Sequence, residues 1–276
     1  APVAALVASG AALAAPGCLP AGQWADREGR ATTAAAFLDR AAGAQVVLLG
    51  EQHATPSHHR WQAAMVEGLI ARGKRVVIGL EQLPASQQAA LDQWVEGRLS
   101  AEEFRKASRW DELWRHDFAA YLPLLELARD RRVPMVALNV ERDFIRAVSR
   151  EGFDRAAAAG APVGRPAPAS EAYAASLRQV FMAHARTPDE AAIARFIEAQ
   201  TVWDRAFAQG LAEALQRHPG AVAVGVMGLG HVEQGWGAEH QLRALGVGAI
   251  VSAIPVPPAP PCPVKPDAAD ALYGAG

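Results

Sequence analysis

Cysteine is nearly absent: Cys18 and Cys262 are the two in 276 residues, enough for one disulfide and no more. Lysine is almost as scarce, with Lys74, Lys106 and Lys265 alone, and tyrosine occurs three times. No run of Lys and Arg lines any face and the net charge is −2, so there is no global field for nucleic acid. No apolar stretch is a convincing membrane span, because the longest is short and rich in Ala and Gly. No serine or cysteine nucleophile stands out. Only 20% of residues are charged and 51% are hydrophobic, which excludes disorder throughout and allows a large core.

What is present begins with residues 1–19, a signal-like or anchor segment of small apolar residues with no basic residue before them. Gly17-Cys18 resembles a bacterial lipobox, with Ala15 and Pro16 departing from the usual order. The Cys18 sulfur therefore has two readings, a lipid anchor or a disulfide to Cys262. Both place the protein in the bacterial cell envelope, periplasmic or attached to the outer membrane.

Beyond residue 20, short aliphatic runs alternate with longer helical patterns, the signature of an α/β fold with a mostly parallel sheet flanked by helices. The expected strands are 45–49, 75–80, 134–138, 221–227 and 247–251. Helices are expected at 57–72, 85–96, 101–107 and 117–131. The α/β domain is discontinuous, spanning 20–142 and 200–254. Residues 143–199 hold no strand candidate and read as a smaller all-helical subdomain. Residues 255–276 form a proline-rich tail, where 255–266 suits a polyproline strap rather than a central strand.

In parallel sheets, ligand sites gather where strands end. Polar residues follow four of the runs: Glu51, Gln52 and His53; Glu81 and Gln82; Asn139 and Arg142; His231 and Glu233. Two Gly-x-x-His sequences, Gly50-Glu51-Gln52-His53 and Gly228-Leu229-Gly230-His231, thus meet Glu81 at one sheet edge. His58 and His59 fall in the first turn of a helix opened by Pro56. Gln200 and Asp204 share a helical face just before the fourth strand. Taken singly, such residues cap helices; taken together, they suit acid/base catalysis by Glu51, His53, Glu81 and His231, or a divalent metal on His53, His231 and Glu81. Tyr173, Met182 and His184 sit in the helical insertion, where a phenolate, thioether or imidazole suits a haem iron and helical spacing equally suits packing.

The order of motifs from 46–53 through His58-His59-Arg60-Trp61-Gln62, Gly79-Leu80-Glu81, Tyr121-Leu122-Pro123, Ala137-Leu138-Asn139-Val140, Gln200-Thr201-Val202-Trp203-Asp204 and 228–232 resembles the ChaN family of haem-binding iron-uptake lipoproteins. That family falls within the wider TIKI and erythromycin-esterase-like superfamily. The resemblance implies haem held between two protomers of a homodimer, a tyrosine on the iron, and exchange with an outer-membrane haem receptor. It points to Tyr173 first and Tyr121 second as the ligand. With three lysines in the chain, it leaves an arginine to take the propionate role. The superfamily also implies an alternative, a hydrolase working through the two Gly-x-x-His motifs and a glutamate, with or without metal.

Overall fold

The structure, a computed structural model, describes residues 18–184, 189–258 and 267–276. Its strands are β1 (Trp24–Asp26), β2 (Ala31–Thr32), β3 (Val46–Glu51), β4 (Val76–Pro84), β5 (Met135–Asn139), β6 (Val222–Gly228), β7 (Ile250–Val256) and β8 (Ala271–Gly274). Its helices are α1 (Ala34–Ala42), α2 (Pro56–Ala71), α3 (Gln88–Val95), α4 (Ala101–Ala107), α5 (Trp110–Leu113), α6 (Phe118–Asp130), α7 (Arg142–Glu151), α8 (Phe153–Ala156), α9 (Glu171–His184), α10 (Glu190–Arg217) and α11 (Ala238–Ala244).

One sheet carries all eight strands, in the order β2-β1-β8-β7-β3-β6-β4-β5. From β8 to β5 every pairing is parallel, and only β1 pairs antiparallel, with β2 and β8. The five strands read from the sequence are therefore β3 to β7. Their aliphatic runs are continuous because both faces are covered. Val47 and Leu49 enter one core layer with Trp61, Leu91 and Leu124, while Val46 and Leu48 enter the other with Val202, Phe207 and Leu242. Leu48 and Leu49 are fully buried on opposite faces, and truncating either to alanine costs about 2–5 kcal/mol.

Part of the expected tail joins the sheet, which corrects the reading of Pro255 as strap. Pro255 lies in β7, a strand flanked on both sides. It sits past Ala253, the last β7 residue in register with β3, so its missing N–H removes no bond from that pairing. Among the described residues, 143–199 carry no strand and hold most of α7, all of α8 and α9 and the start of α10, with 157–170 outside any helix; α10 runs unbroken through position 200 while packing against α7, α9 and α11. Cys18 is disulfide-bonded. Residues 1–17, Cys262 and Lys265 lie outside the described residues. Among the described residues, no helix is long and apolar enough to cross a membrane.

Candidate functional site

The strand order builds the site. β6 lies between β3 and β4, so the chain ends of three neighbouring strands deliver Glu51, Glu81 and Gly228 to one edge. Glu51 closes β3 in register with Gly228, and a left-handed Ala54 (φ 57°) turns the chain after His53 into α2.

Two similar assemblies flank Glu81. In the first, the Tyr121 hydroxyl donates to Glu51 Oε1 at 3.1 Å, and the same oxygen lies 2.9 Å from His53 Nδ1. The Ala54 N–H donates back to the Tyr121 oxygen at 3.2 Å, which locks the turn to the carboxylate. In the second, the Tyr173 hydroxyl donates to Asp204 Oδ2 at 2.9 Å, and Asp204 Oδ1 lies 2.7 Å from His231 Nδ1. Each is a tyrosine, a carboxylate and a histidine in series. In each, the carboxylate holds Nδ1 and leaves Nε2 as the ring atom that can exchange a proton.

Glu81 occupies the middle. Its Oε2 accepts the Gly228 N–H at 2.6 Å, and its Oε1 lies 3.8 Å from His231 Nε2. Gly228 leaves room for this ring, because a Cβ at that position would lie 3.0 Å from His53 Cε1 and 3.1 Å from Nε2 and the ring would have to shift. Burial pushes Glu81 above the usual carboxylate range despite the nearby histidines. Burial works against protonation of His231, but the charge and hydrogen bond of Asp204 raise it to about 9. His53 is also raised, since Glu51 and Glu81 outweigh its burial. Burial opposes ionisation of Glu51 too, but the His53 hydrogen bond and the His59 charge hold it below its ordinary value. Of the two glutamates, Glu51 is thus the more readily ionised and Glu81 the one that holds a proton more tightly.

The remaining expected residues divide. His59 is buried in the first assembly, with its Nδ1 3.0 Å from Gln62 Oε1 and its ring tilted against Tyr121 at 3.8 Å between centroids. His58 faces the other way, accepting the Gln52 N–H at 3.0 Å through Nδ1, and burial lowers its pKa to about 4. Asn139 donates to the Glu81 carbonyl at 2.8 Å and accepts from Trp203 Nε1 at 3.1 Å. Glu233 lines a cleft of about 440 Å³ with Gln52 and His58. Gln200, half-buried, is not joined to the centre by any hydrogen bond among the described residues. Arg142 is exposed and donates to the Leu113 carbonyl, away from the glutamates.

Gln62 and Gln82, both read in the sequence, donate to Glu51 at 3.1 and 3.3 Å. Two contributors carried no motif: Trp114 meets the His53 ring edge-on at 4.6 Å, and His116 lies beside both. Trp114 and His116 follow α5, far from any strand end in sequence, so only the fold brings them in.

Among the described residues no group of three or more His, Cys, Asp or Glu side chains is arranged to hold a metal ion, so the expected divalent metal on His53, His231 and Glu81 finds no support. A physical reason is protonation: Asp204 holds His231 up to about 9, so near neutral pH its Nε2 carries a proton and offers a metal no lone pair.

Fold and centre together define an α/β protein whose parallel sheet ends in two histidine–carboxylate pairs across a buried glutamate. Within that class the chain belongs to the haem-binding uptake family, ChaN, of the Tiki superfamily, whose model matches residues 37–242. Among solved structures it is similar to ChaN of Campylobacter jejuni, described with cofacially bound haem, at a TM-score of 0.72 and 17% identity over 91% of this chain and 95% of that one. It is also similar to the erythromycin esterase EreC in an open conformation, with a TM-score of 0.49 and 14% identity over 89% and 81% of the two chains. The type III effector HopBA1 follows with a TM-score of 0.46 and 10% identity over 86% and 89%. At such identities these likenesses are of fold. No curated protein matches the chain.

The tyrosines do not fit an iron. Tyr121 and Tyr173 are 2% and 4% exposed, their hydroxyls donate to carboxylates, and burial together with those carboxylates pushes both phenols far above their ordinary pKa. The third, Tyr273, is stacked at 5.5 Å on Trp61. His184 does fit. It is exposed at the end of α9, its Nδ1 lies 2.8 Å from the Val180 carbonyl, and that bond leaves the Nε2 lone pair outward. Val180 and Met182, 47% and 43% exposed, add apolar surface on the same helix.

Proposed function

We propose that this chain binds haem in bacterial envelope iron and haem uptake, with the haem held between two copies of the chain. The observation that carries the reading is the match of the haem-binding uptake model to residues 37–242. His184 is the residue of this chain suited to the iron, and bound haem would supply the transported iron rather than take part in chemistry at the strand ends. The helical stretch 143–199 would then be the subdomain that receives the ligand, and an outer-membrane haem receptor the partner that supplies it. A lipid on Cys18 would need the sulfur that the disulfide uses. The disulfide suits an oxidising envelope compartment. Titration of haemin into the purified protein, read by the Soret band and by mass, tests the reading. Saturable binding with a doubling of mass is expected, and no saturable binding would end it.

A second reading, hydrolysis, is favoured by one observation, the pair of tyrosine–carboxylate–histidine series facing each other across Glu81. In it, the neutral fraction of His53 would take a proton from water through Nε2, and the His231 imidazolium would stabilise the developing oxyanion. Screening small esters and lactones against the protein and its His53→Ala variant tests it. Turnover that vanishes in the variant is expected, and equal turnover in both would remove the reading.

A further inference from the structure

On the other side of Asn139 and Gln82 lies a polar cleft of about 340 Å³ that neither reading uses. Four arginines wall it, Arg109, Arg115, Arg142 and Arg146, against three acids, Glu112, Glu141 and Asp143. Two of those acids are engaged: Glu112 accepts from Arg109 Nε at 2.9 Å, and Asp143 from Arg146 Nη1 at 3.0 Å. The Arg115 guanidinium, exposed to solvent, has no hydrogen bond or ion pair among the described residues. The cleft also receives the start of α7, a ten-residue helix whose first amides have no side-chain cap. The positive end of that helix and the N–H groups of Arg142 and Asp143 add to the arginine charge, while the Phe144 N–H is taken by the Glu141 carbonyl.

The backbone adds a second argument. Arg109 and Arg115, which bracket the four-residue α5, both take left-handed conformations, with φ of 53° and 69°. A side chain other than glycine meets a penalty of about 1 kcal/mol or more there, and such strain concentrates where a ligand is held. Arg142 ties the segment down by donating to the Leu113 carbonyl.

We propose that this cleft is an oxyanion site, binding the carboxylate or phosphate group of a small ligand through Arg115, the spare nitrogens of Arg142 and Arg146, and the first amides of α7. Guanidinium forks and amide donors match the planar, two-oxygen edge of a carboxylate and equally two oxygens of a phosphate. The cleft shares walls with the strand-end centre, since Gln82 reaches Glu51 and Asn139 reaches the Glu81 carbonyl. The site stands whether or not haem is bound at α9.

Calorimetric titration of the full chain at low ionic strength with glutarate and, separately, inorganic phosphate tests the site. The variants are Arg115→Asn with Arg146→Gln, both at exposed positions, and Arg98→Ala, whose partner is the exposed Glu96, as control. One saturable site per chain is expected, weakened about tenfold or more in the double variant and unchanged in the control. Tighter glutarate identifies a carboxylate ligand, and tighter phosphate a phosphorylated one. No saturable binding of either anion to the unaltered chain, or equal affinity in the double variant, would overturn the proposal.

Discussion

The Tyr173 hydroxyl donates to Asp204 at 2.9 Å, deep enough that neither group reaches solvent appreciably. The phenol thereby holds the carboxylate that holds His231, and Tyr121 does the same for Glu51 and His53. Their work is structural and electrostatic, so removing either hydroxyl unsettles the strand-end centre rather than a haem surface.

Tyr173→Phe and Tyr121→Phe should each destabilise the fold by about 1–3 kcal/mol, because a buried carboxylate loses a donor. Urea unfolding gives the cost, and haemin affinity measured in parallel should stay within about twofold of the original.

Stability should fall on both sides of neutrality. His231 is raised from 6.5 to about 9 in the folded chain, so its contribution is complete below 6.5 and is lost as pH climbs through 9. The loss is of order 2–3 kcal/mol, with Glu81 sharing the titration. Glu51 is lowered, so its contribution is complete above its ordinary value of 4.5 and fades as the pH falls below that. Unfolding curves from pH 4 to 10 should flatten on the alkaline side in His231→Gln.

Gly228→Ala should displace His53, since the new methyl would sit 3.0 Å from the ring. A cost of about 1–3 kcal/mol is expected from the forced shift. The nitrogen NMR signal of His53 Nδ1 should lose the signature of its hydrogen bond to Glu51, while a retained signal would mean the ring is not fixed by that contact.

Much of this was legible in the sequence, and the reasons differ by element. Strands β3 to β7 announce themselves because a strand covered on both faces must be aliphatic at every position, as Val46 to Leu49 are. Glu51, His53, Glu81 and His231 follow from the rule that sites sit at strand ends. Strands β1, β2 and β8 are short, and their pairing is fixed by distant partners such as Trp24 with Tyr273, which no local pattern records. Pro255 misleads because its effect depends on where β3 stops. For Tyr173 and Tyr121, sequence context does not reveal whether the hydroxyl faces solvent or a buried carboxylate, and both meet carboxylates.

We propose that haem is held from the α9 surface by His184 rather than by a tyrosine. The most direct measurement is the Soret and electron paramagnetic resonance spectrum of the ferric haem complex of the unaltered chain, His184→Ala and Tyr173→Phe. A histidine-type spectrum, lost in His184→Ala and kept in Tyr173→Phe, is the outcome that agrees with this claim. A tyrosinate spectrum that survives His184→Ala and disappears in Tyr173→Phe would contradict it.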